Sequence, residues 1–435
     1  MIPVYSGEEA HQRLDAMLAL PQALGNPEVA ETVSGIIHRV KAEGDSALKA
    51  LAAQFGEDAT VSLRLSETEV AQAMARVPLH TKEVMQRAAE NIRAFGEAVR
   101  NANGPVAIDR EDCRVGLDWR PVSRVGCYVP GGRYPLPSTA LMTAITAQVA
   151  GVQEISIASP GLRDEIVYAG SLAGVTTFYR MGGAQAVAAL AFGTESVRPV
   201  DMVVGPGNAY VTEAKRQLQG TIGIDMLAGP SEVGIIADDG ANPAWVALDL
   251  MAQAEHDPDA RAYLFTPSHF LADAVRIKLQ EYLHPHQPED PNDPAETVYP
   301  AFIEEVLEKS GIWVFEDLPA CAAAMNRLAP EHLELMVAEP DDLRPLLRDY
   351  GALFVGYHTT VPFGDYVAGP NHTLPTGRSA RFSGTLNPMT FLRPQSWIEA
   401  IPNPTQLALD ATDFARMEGL LAHASASEAR LIENL

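Results

Sequence analysis

The side chains best suited to bind a metal or to move protons are spread over the second half of the chain. They form three pairs and one single residue: Gln253 with His256, Glu331 with His332, Asp365 with His372, and His423. Their imidazole, carboxylate and amide groups suit a divalent ion such as zinc and leave groups over for acid/base chemistry. Because they span positions 253 to 423, only a folded enzyme built from several chain segments can bring them together.

Gln253 and His256 are predicted at the C-terminal end of a helix. Asn242 followed by a proline marks the helix start, and Asp257 followed by a proline marks its end. Spaced three apart, both side chains point from one face, at a helix end where α/β proteins often bind ligands. Taken alone, His256 is better explained by an interaction with the helix dipole than by metal binding.

The other pairs also allow a structural explanation when each is taken alone. Glu331 and His332 could divide acid and base roles in a cleft, or form a surface turn. Asp365 and His372 are fixed in a stiff loop rich in glycine and proline, which serves a site or only the fold. His423, judged from its surroundings, is an ordinary helix residue.

Composition narrows the class of protein. The 435 residues suffice for two or three domains, and the net charge of −24 argues against nucleic acid or an anionic membrane as a partner. A solvated acidic surface also explains this charge. Cys113, Cys127 and Cys321 are widely spaced, which fits a reducing compartment, and the first residues do not resemble a signal peptide. We therefore expect a cytoplasmic protein.

Hydrophobic periodicity predicts helices in the N-terminal part of the chain and an α/β fold in the part that follows. Helical patterns cover 26–55 and 66–99, and 287–296 is an exposed loop. The predicted strands are 154–158, 176–181, 202–204, 232–237, 262–266, 312–316, 333–336 and 352–356. Helical patterns between most of them imply parallel, helix-covered sheets. Alternation stops at 377, and a final helix is predicted over 413–435, in a tail that would pack on a partner subunit.

Three glycine turns could hold phosphate groups. They are Pro130-Gly131-Gly132, Gly182-Gly183 and Gly205-Pro206-Gly207, and the last two lead into helical patterns. None matches the Gly-x-Gly-x-x-Gly fingerprint, so plain tight turns explain them as well.

Taken jointly, eight segments in order resemble the histidinol dehydrogenase family along essentially the whole chain. They are VGCYVPGGR at 125–133, GGAQAVAALAFGTE at 182–195, VGPGN at 204–208, TEAKR at 212–216, AGPSE at 228–232, QAEH at 253–256, PEHL at 330–333 and NHTLPT at 371–376. The segment 381–393 departs from the family pattern, since GTLNPM stands where a second serine is expected.

The resemblance implies a role for each matched residue. One zinc ion per subunit would be bound by Gln253, His256, Asp365 and, from the other subunit of a homodimer, His423. Glu331 and His332 match the acid/base pair, and Tyr128, Gln185 and Asn208 match positions that contact NAD. Ser231, His372 and Glu418 match positions that contact the substrate, together with His332 and the zinc ligands.

The resemblance also implies an activity and an architecture. The activity is the four-electron oxidation of L-histidinol through L-histidinal to L-histidine with two NAD, the last steps of histidine biosynthesis. The fold class is α/β, with two incomplete Rossmann-like parallel-sheet domains, N-terminal helices and an extended C-terminal tail that crosses to the partner. The division is 1–25 as an N-terminal helical segment, 26–126 plus 233–376 as the larger domain, 127–232 as an inserted NAD-binding domain, and 377–435 as a dimerisation tail.

Two alternatives stay open. Side branches of the family oxidise other small alcohols, including a sulfonated propanediol. Glu418 favours a cationic amino-alcohol, because its carboxylate repels a sulfonate. A zinc- or nucleotide-binding protein without catalysis is the more remote alternative, since every expected catalytic group is present.

Overall fold

The computed structural model describes residues 1–19, 26–56, 58–131, 135–284 and 299–431, and three sheets organise them. The strands are β1 Val4–Ser6, β2 Val106–Asp109, β3 Cys113–Pro121, β4 Arg124–Tyr128, β5 Glu154–Ser159, β6 Thr177–Arg180, β7 Met202–Val204, β8 Gly223–Ile224, β9 Glu232–Ala237, β10 Arg261–Thr266, β11 Gly311–Val314, β12 His332–Met336, β13 Ala352–Val355 and β14 Leu392–Ala400. The helices are α1 Gly7–Ala19, α2 Pro27–Glu43, α3 Asp45–Gln54, α4 Glu67–Arg76, α5 Leu79–Ala102, α6 Pro137–Ala150, α7 Asp164–Leu172, α8 Gly183–Phe192, α9 Ala209–Leu218, α10 Pro243–Ala254, α11 His269–Leu283, α12 Phe302–Lys309, α13 Leu318–Leu328, α14 Pro340–Leu343, α15 Val361–Tyr366, α16 Thr405–Met417 and α17 Leu421–Glu428. Short 3-10 helices lie at Arg344–Leu346, Ser379–Arg381 and Pro388–Phe391.

The larger sheet has six parallel strands in the order β1-β11-β10-β9-β12-β13. Its central strands are apolar runs buried on both faces, as is usual for parallel sheets. Val233 and Ile235 pack against α10, α11 and α12, whereas Ile236 and Leu335 pack against α1 and α13. Alternate residues of one strand therefore serve two separate hydrophobic layers.

The smaller sheet has five parallel strands in the order β6-β5-β4-β7-β8. Cys127 faces a core shared with α4–α7, and its neighbour Tyr128 faces a core shared with α2, α3, α8 and α9. The helices of 27–102 thus pack on the smaller sheet, although the predicted division grouped them with 233–376. That division into domains stays a prediction.

Both parallel sheets have a point where the chain changes direction across the sheet. In the smaller sheet the strands after β4 extend one way and β7 and β8 extend the other, so this switch point lies between β4 and β7. In the larger sheet it lies between β9 and β12. In open α/β sheets, ligands bind at such points, outside the carboxyl ends of the strands.

The C-terminal part forms a third, antiparallel sheet and a helix pair. Strand β14 runs along the whole length of β3, and β2 pairs with the other side of β3. The final helix predicted over 413–435 is wrong, because α16 and α17 are separate helices. Gly419 has φ of 77° and breaks the helix there. Residues 432–435 lie outside the described range.

Both predicted N-terminal helical stretches also divide in two. Gly44, with φ of 57°, separates α2 from α3. Pro78 separates α4 from α5, because the residue before a proline is disfavoured in helical conformation. The loop predicted over 287–296 and the N-terminal residues 20–25 lie outside the described residues. No helix in the part of the chain that the structure describes is long and apolar enough to cross a membrane.

Candidate functional site

Glu331 and His332 lie at the amino end of strand β12, beside the start of β9, where His332 pairs with Val233. Both side chains are buried, with 6% and 4% of their surface exposed. The pair therefore occupies the switch point of the larger sheet, but at the amino edge of its strands. This is opposite to the edge where α/β proteins usually bind ligands.

The backbone of Glu232 orients this pair. Its N–H donates to Glu331 Oε2 at 3.0 Å, and its carbonyl oxygen lies 3.3 Å from His332 Nδ1. A carbonyl oxygen can only accept, so Nδ1 carries the proton in this contact and the lone pair of a neutral ring resides on Nε2. His332 Nε2 is buried without a hydrogen-bond partner and lies 3.5 Å from Asp365 Oδ1.

The electrostatics of the site shift three neighbouring groups. Burial raises the pKa of Glu331 to about 7, although the adjacent His332 opposes the shift. Burial alone would lower the pKa of His332, but Glu331 and Asp365 outweigh it and raise that pKa to about 9. Burial, followed by the charge of Glu331, raises the pKa of Glu232 to about 8. Protons on these groups are therefore exchangeable near neutral pH.

A small cavity of about 20 Å³ lies between the end of α10 and helix α15, and Asp365, whose Oδ1 is 3.5 Å from His332 Nε2, is in its wall. Gln253, His256 and Asp365 line it. Gln253 is 3% exposed, and neither atom of its amide has a hydrogen-bond partner. Leaving a buried amide unsatisfied is costly, so these atoms point to a missing partner. The volume accommodates one water molecule or one ion.

His256 closes the outer side of this cavity. It lies two residues after the end of α10, where its N–H donates to the Gln253 carbonyl oxygen at 3.3 Å. The residue is exposed, yet the surrounding wall displaces enough water to lower its pKa, with Asp365 opposing. The ring is therefore kept neutral, the form that binds a metal.

The donor set fits a metal that needs one more ligand. Among the described residues, no three His, Cys, Asp or Glu side chains are arranged to hold an ion. The three predicted ligands that line the cavity offer one imidazole, one carboxylate and the Gln253 amide, and a fourth donor would complete a tetrahedral site. His423, the predicted fourth ligand, is exposed on α17 and makes no hydrogen bond or ion pair with these residues.

His372 connects Asp365, and with it the cavity, to the smaller sheet. Its Nδ1 lies 2.8 Å from the Asp365 carbonyl oxygen, and its Nε2 lies 3.3 Å from Thr139 Oγ1 near the start of α6. The neighbouring Asn371 donates to the Met142 carbonyl oxygen at 2.8 Å. The amino edge of the larger sheet is thereby joined to the carboxyl edge of the smaller one.

Tyr128, Gln185 and Asn208 gather at that carboxyl edge, around the switch point between β4 and β7. The Gly183 N–H donates to the Tyr128 hydroxyl at 3.1 Å, and Gln185 is buried in the first turn of α8. Asn208 caps α9 through Oδ1, so it can offer only Nδ2 to a ligand. Gly132 and Arg133 of the first glycine turn lie outside the described residues.

The remaining predicted residues are divided between the site and the tail. The Ser231 side chain opposes the rise in the pKa of Glu331, so it lies beside the predicted acid/base pair. Glu418 is exposed between α16 and α17, away from the other predicted substrate residues of this chain. All these roles stay predictions.

Sequence reasoning assigned no role to three carboxyl groups next to the site, which are the buried Glu232 and Glu334 and the half-buried Asp249. Glu334 and Asp249 interrupt apolar runs, in His-Leu-Glu-Leu-Met and Ala-Leu-Asp-Leu-Met. A charge inside a fully buried strand or helix face is rare without a partner. An acidic residue inside an apolar run is therefore the sequence feature that could have indicated Glu334 and Asp249 as members of the site.

Two helix-covered parallel sheets and a buried carboxylate–imidazole pair define the chain as an α/β enzyme. A family model described as histidinol dehydrogenase matches residues 21–431. Histidinol dehydrogenase of Cereibacter sphaeroides is 42% identical over 424 residues, which cover 93% of this chain and 93% of that protein. The Geobacillus kaustophilus protein of that name is 43% identical over 417 residues, covering 94% and 95%. The crystal structure of histidinol dehydrogenase from Elizabethkingia anophelis superposes with a TM-score of 0.91 at 30% identity, covering 99% and 98% of the two chains. The chain belongs to the histidinol dehydrogenase family and is an oxidoreductase.

Proposed function

We propose that this enzyme oxidises L-histidinol through L-histidinal to L-histidine, with one zinc ion per subunit and two NAD, in the last steps of histidine biosynthesis. The observation that carries the proposal is His332 Nε2, which has no hydrogen-bond partner and lies 3.5 Å from Asp365, a residue that lines one cavity together with Gln253 and His256. A proton acceptor and a metal cavity thus lie next to each other. The family membership supports the same activity.

Gln253, His256 and Asp365 would hold the zinc ion, with His423 of the partner subunit as the fourth ligand. The ion would bind the amine and imidazole nitrogens of the substrate and fix its orientation. Ser231, His372 and Glu418 would contact the substrate as well. The orphaned Gln253 amide supports this assignment, because a metal supplies the partner that its oxygen lacks.

The smaller sheet is the better place for NAD, which accepts the hydrides. Its helix α8 begins at the switch-point edge without a side-chain cap, and free amides at a helix start bind phosphate. The corresponding edge of the larger sheet is occupied by Asp238, which accepts hydrogen bonds from the Ala338 N–H at 2.8 Å and the Tyr357 hydroxyl at 2.7 Å. A carboxylate at that position repels a pyrophosphate.

His332 and Glu331 would divide the proton transfers. His332 Nε2 takes the hydroxyl proton of the alcohol, and engagement of Asp365 by a cation lowers the pKa of His332 towards the range a base needs. Glu331 takes a proton from the water that attacks the aldehyde. Its pKa of about 7 suits a base that must also release the proton. Burial of both groups shields the aldehyde from solvent.

The tail is the proposed contact with a second copy of the chain. Phe414, Met417 and Leu421 expose 64%, 73% and 72% of their surface, and helices α16 and α17 pack mainly on each other. An apolar surface of this kind favours association.

All three cysteines are buried and unpaired. The cytoplasmic location stays a prediction.

A substrate panel tests the proposal. Purified protein with zinc should reduce NAD on L-histidinol, with two NADH formed per L-histidine, and should leave a sulfonated propanediol unoxidised. Oxidation of the sulfonated diol alone would favour the paralogue. No NAD reduction on any amino-alcohol or diol would contradict the enzymatic assignment and favour a non-catalytic binding protein.

A further inference from the structure

A buried ion pair lies beneath the loop that joins β7 to α9. Lys215 on α9 and Asp225 just after β8 form the pair, and their side chains are 3% and 0% exposed. Removing two charges from water is costly unless further hydrogen bonds compensate. The contacts of the pair therefore indicate what it holds in place.

Both members of the pair bind the backbone of one residue, Gly205. The Gly205 N–H donates to Asp225 Oδ2 at 2.7 Å, and Lys215 Nζ donates to the Gly205 carbonyl oxygen at 3.0 Å. The other oxygen of Asp225 accepts from the Met226 N–H at 2.7 Å. The donor and the acceptor of a single peptide residue are thus fixed from two different elements.

Gly205 sits where the loop approaches the neighbouring strand. Its φ is 114°, and a Cβ atom there would collide with the carbonyl oxygen of Tyr128. Three residues later Asn208 caps α9. Gly205, which the ion pair holds by hydrogen bonds, therefore lies between Tyr128 and Asn208, two of the residues expected to contact NAD.

We propose that Lys215 and Asp225 are positioning residues for the nicotinamide dinucleotide, in that they fix Gly205 and so hold Asn208 in place against Tyr128 before the cofactor binds. This role rests on the proposed NAD site. A loop ordered in advance loses less conformational freedom on binding, which raises affinity without any direct contact to the ligand.

The test variant replaces the pair by neutral residues of similar shape, Lys215→Met together with Asp225→Asn. This leaves no buried unpaired charge, and the amide oxygen introduced at position 225 can still accept from the Gly205 N–H. The matched control is Glu213→Gln with Arg216→Met. Glu213 and Arg216 pair on the same helix at 2.6 Å but do not contact the loop.

NAD affinity is measured by calorimetry, alongside zinc content and the KM values for NAD and L-histidinol. We expect the test variant to bind NAD at least about tenfold more weakly, with kcat at saturating NAD nearly unchanged. Zinc content and the KM for L-histidinol should stay as in the unaltered enzyme. If the double variant does not fold, Lys215→Met alone, which leaves Asp225 hydrogen-bonded to the N–H groups of Gly205 and Met226, should show a smaller loss of NAD affinity.

Three outcomes overturn the inference. They are unaltered NAD affinity in the variant that folds, an equal loss in the control, and a parallel loss of zinc. Unaltered NAD affinity would show that the ion pair does not influence cofactor binding. An equal loss in the control, or a parallel loss of zinc, would show that the substitutions act through the general stability of the protein. Failure of the unaltered protein itself to bind NAD is a different result, because it would contradict the proposed NAD site.

Discussion

Glu331 and His332 are adjacent in the chain, yet their contacts give them different proton chemistry. Glu331 Oε2 accepts from a backbone N–H, and its pKa of about 7 allows it to gain and lose a proton near neutrality. His332 has one nitrogen fixed by the Glu232 carbonyl oxygen, so Nε2 is the only atom that can act as a base. The two oxidation steps should therefore depend on different residues.

Replacement of each residue should separate the two half-reactions. Glu331→Gln should slow aldehyde oxidation more than alcohol oxidation, because only the second step needs activated water. His332→Asn should slow alcohol oxidation by about a hundredfold or more, the usual loss for a positioned base. Stopped-flow measurement of NADH with L-histidinol and with L-histidinal distinguishes them.

His358→Asn is the matched control for the histidine replacement. His358 is an exposed imidazole after β13, at the opposite edge of the same sheet, with its ring 5.3 Å from that of Trp245. It should retain both half-reactions. Equal losses in both half-reactions for Glu331→Gln and His332→Asn would contradict the division of roles.

Glu232 should make the stability of the metal-free protein depend on pH. Its pKa rises from 4.5 to about 8 on folding, chiefly through burial and then through the charge of Glu331. The folded state binds this proton more tightly, so the stabilising contribution is complete below pH 4.5 and is lost as the pH rises through about 8. The free energy of unfolding should therefore fall over that window.

Glu232→Gln removes this proton while keeping an acceptor for the Gly377 N–H, which Glu232 Oε1 binds at 3.0 Å. Relative to the unaltered protein, the variant should gain on the order of 3 kcal/mol between about pH 5 and about pH 8. Denaturant unfolding at both pH values measures the difference. Parallel changes with pH in the two proteins would show that Glu232 titrates as in the unfolded chain.

At the scale of elements, helix α15 places Asp365 and is itself held at its first turn by two carboxyl groups. The Val361 N–H donates to Glu334 Oε1 at 2.9 Å, and the Thr360 hydroxyl donates to Asp249 Oδ1 at 2.7 Å. Burial and then the charge of Asp249 raise the pKa of Glu334 well above its usual value, so Glu334 is neutral. A neutral acceptor within a buried strand thus fixes the helix that supplies a predicted metal ligand.

Substitution of Glu334 should separate its hydrogen bond from its charge. Glu334→Gln keeps a neutral acceptor, so stability and zinc affinity should change little. Glu334→Leu leaves the Val361 N–H unsatisfied, which should cost about 1–3 kcal/mol and weaken zinc binding. Chelator competition and denaturant unfolding measure the two effects. Unaltered zinc affinity in Glu334→Leu would mean that α15 is positioned by other contacts.

The elements that the sequence predicted are those with a clear pattern of burial. All eight predicted strands are confirmed to within two residues, because strands buried on both faces are short apolar runs. Strands β3 and β14 were missed, since most of their residues are half-buried or exposed and show no alternation. Strand β1 has only three residues, and β4 has five, within the glycine-rich segment 125–133 that carries the family motif.

Long-range pairing sets the limit on predicting the site. Some site residues are close in the sequence, namely Glu331 with His332 and Gln253 with His256. Their proximity and their side-chain chemistry were enough to predict them as candidate site residues. The contacts that organise the site join distant residues, such as Glu232 to Glu331, which are 99 positions apart. A local sequence pattern cannot predict a contact between residues so far apart. For the same reason, the sequence did not predict that the site lies at the amino edge of the larger sheet.

For the whole molecule, the predicted set of zinc ligands is not gathered within one chain. Three of the four line one cavity, and the fourth, His423, is exposed on the tail helix α17. The tail also carries the exposed apolar residues Phe414, Met417 and Leu421. If two tails are exchanged in a dimer, each site contains His256 from one subunit and His423 from the other.

Mixing two inactive variants tests this exchange. His256→Ala and His423→Ala homodimers should each lose zinc and activity, because each of their sites lacks one imidazole. In a mixed dimer, one site lacks both imidazoles and the other has both. Unfolding the two variants together and refolding them with zinc should therefore restore partial activity, whereas each variant refolded alone should stay inactive. If mixed dimers form, as separately tagged chains would reveal, and no activity returns, then His423 acts within its own chain or has no role in the site.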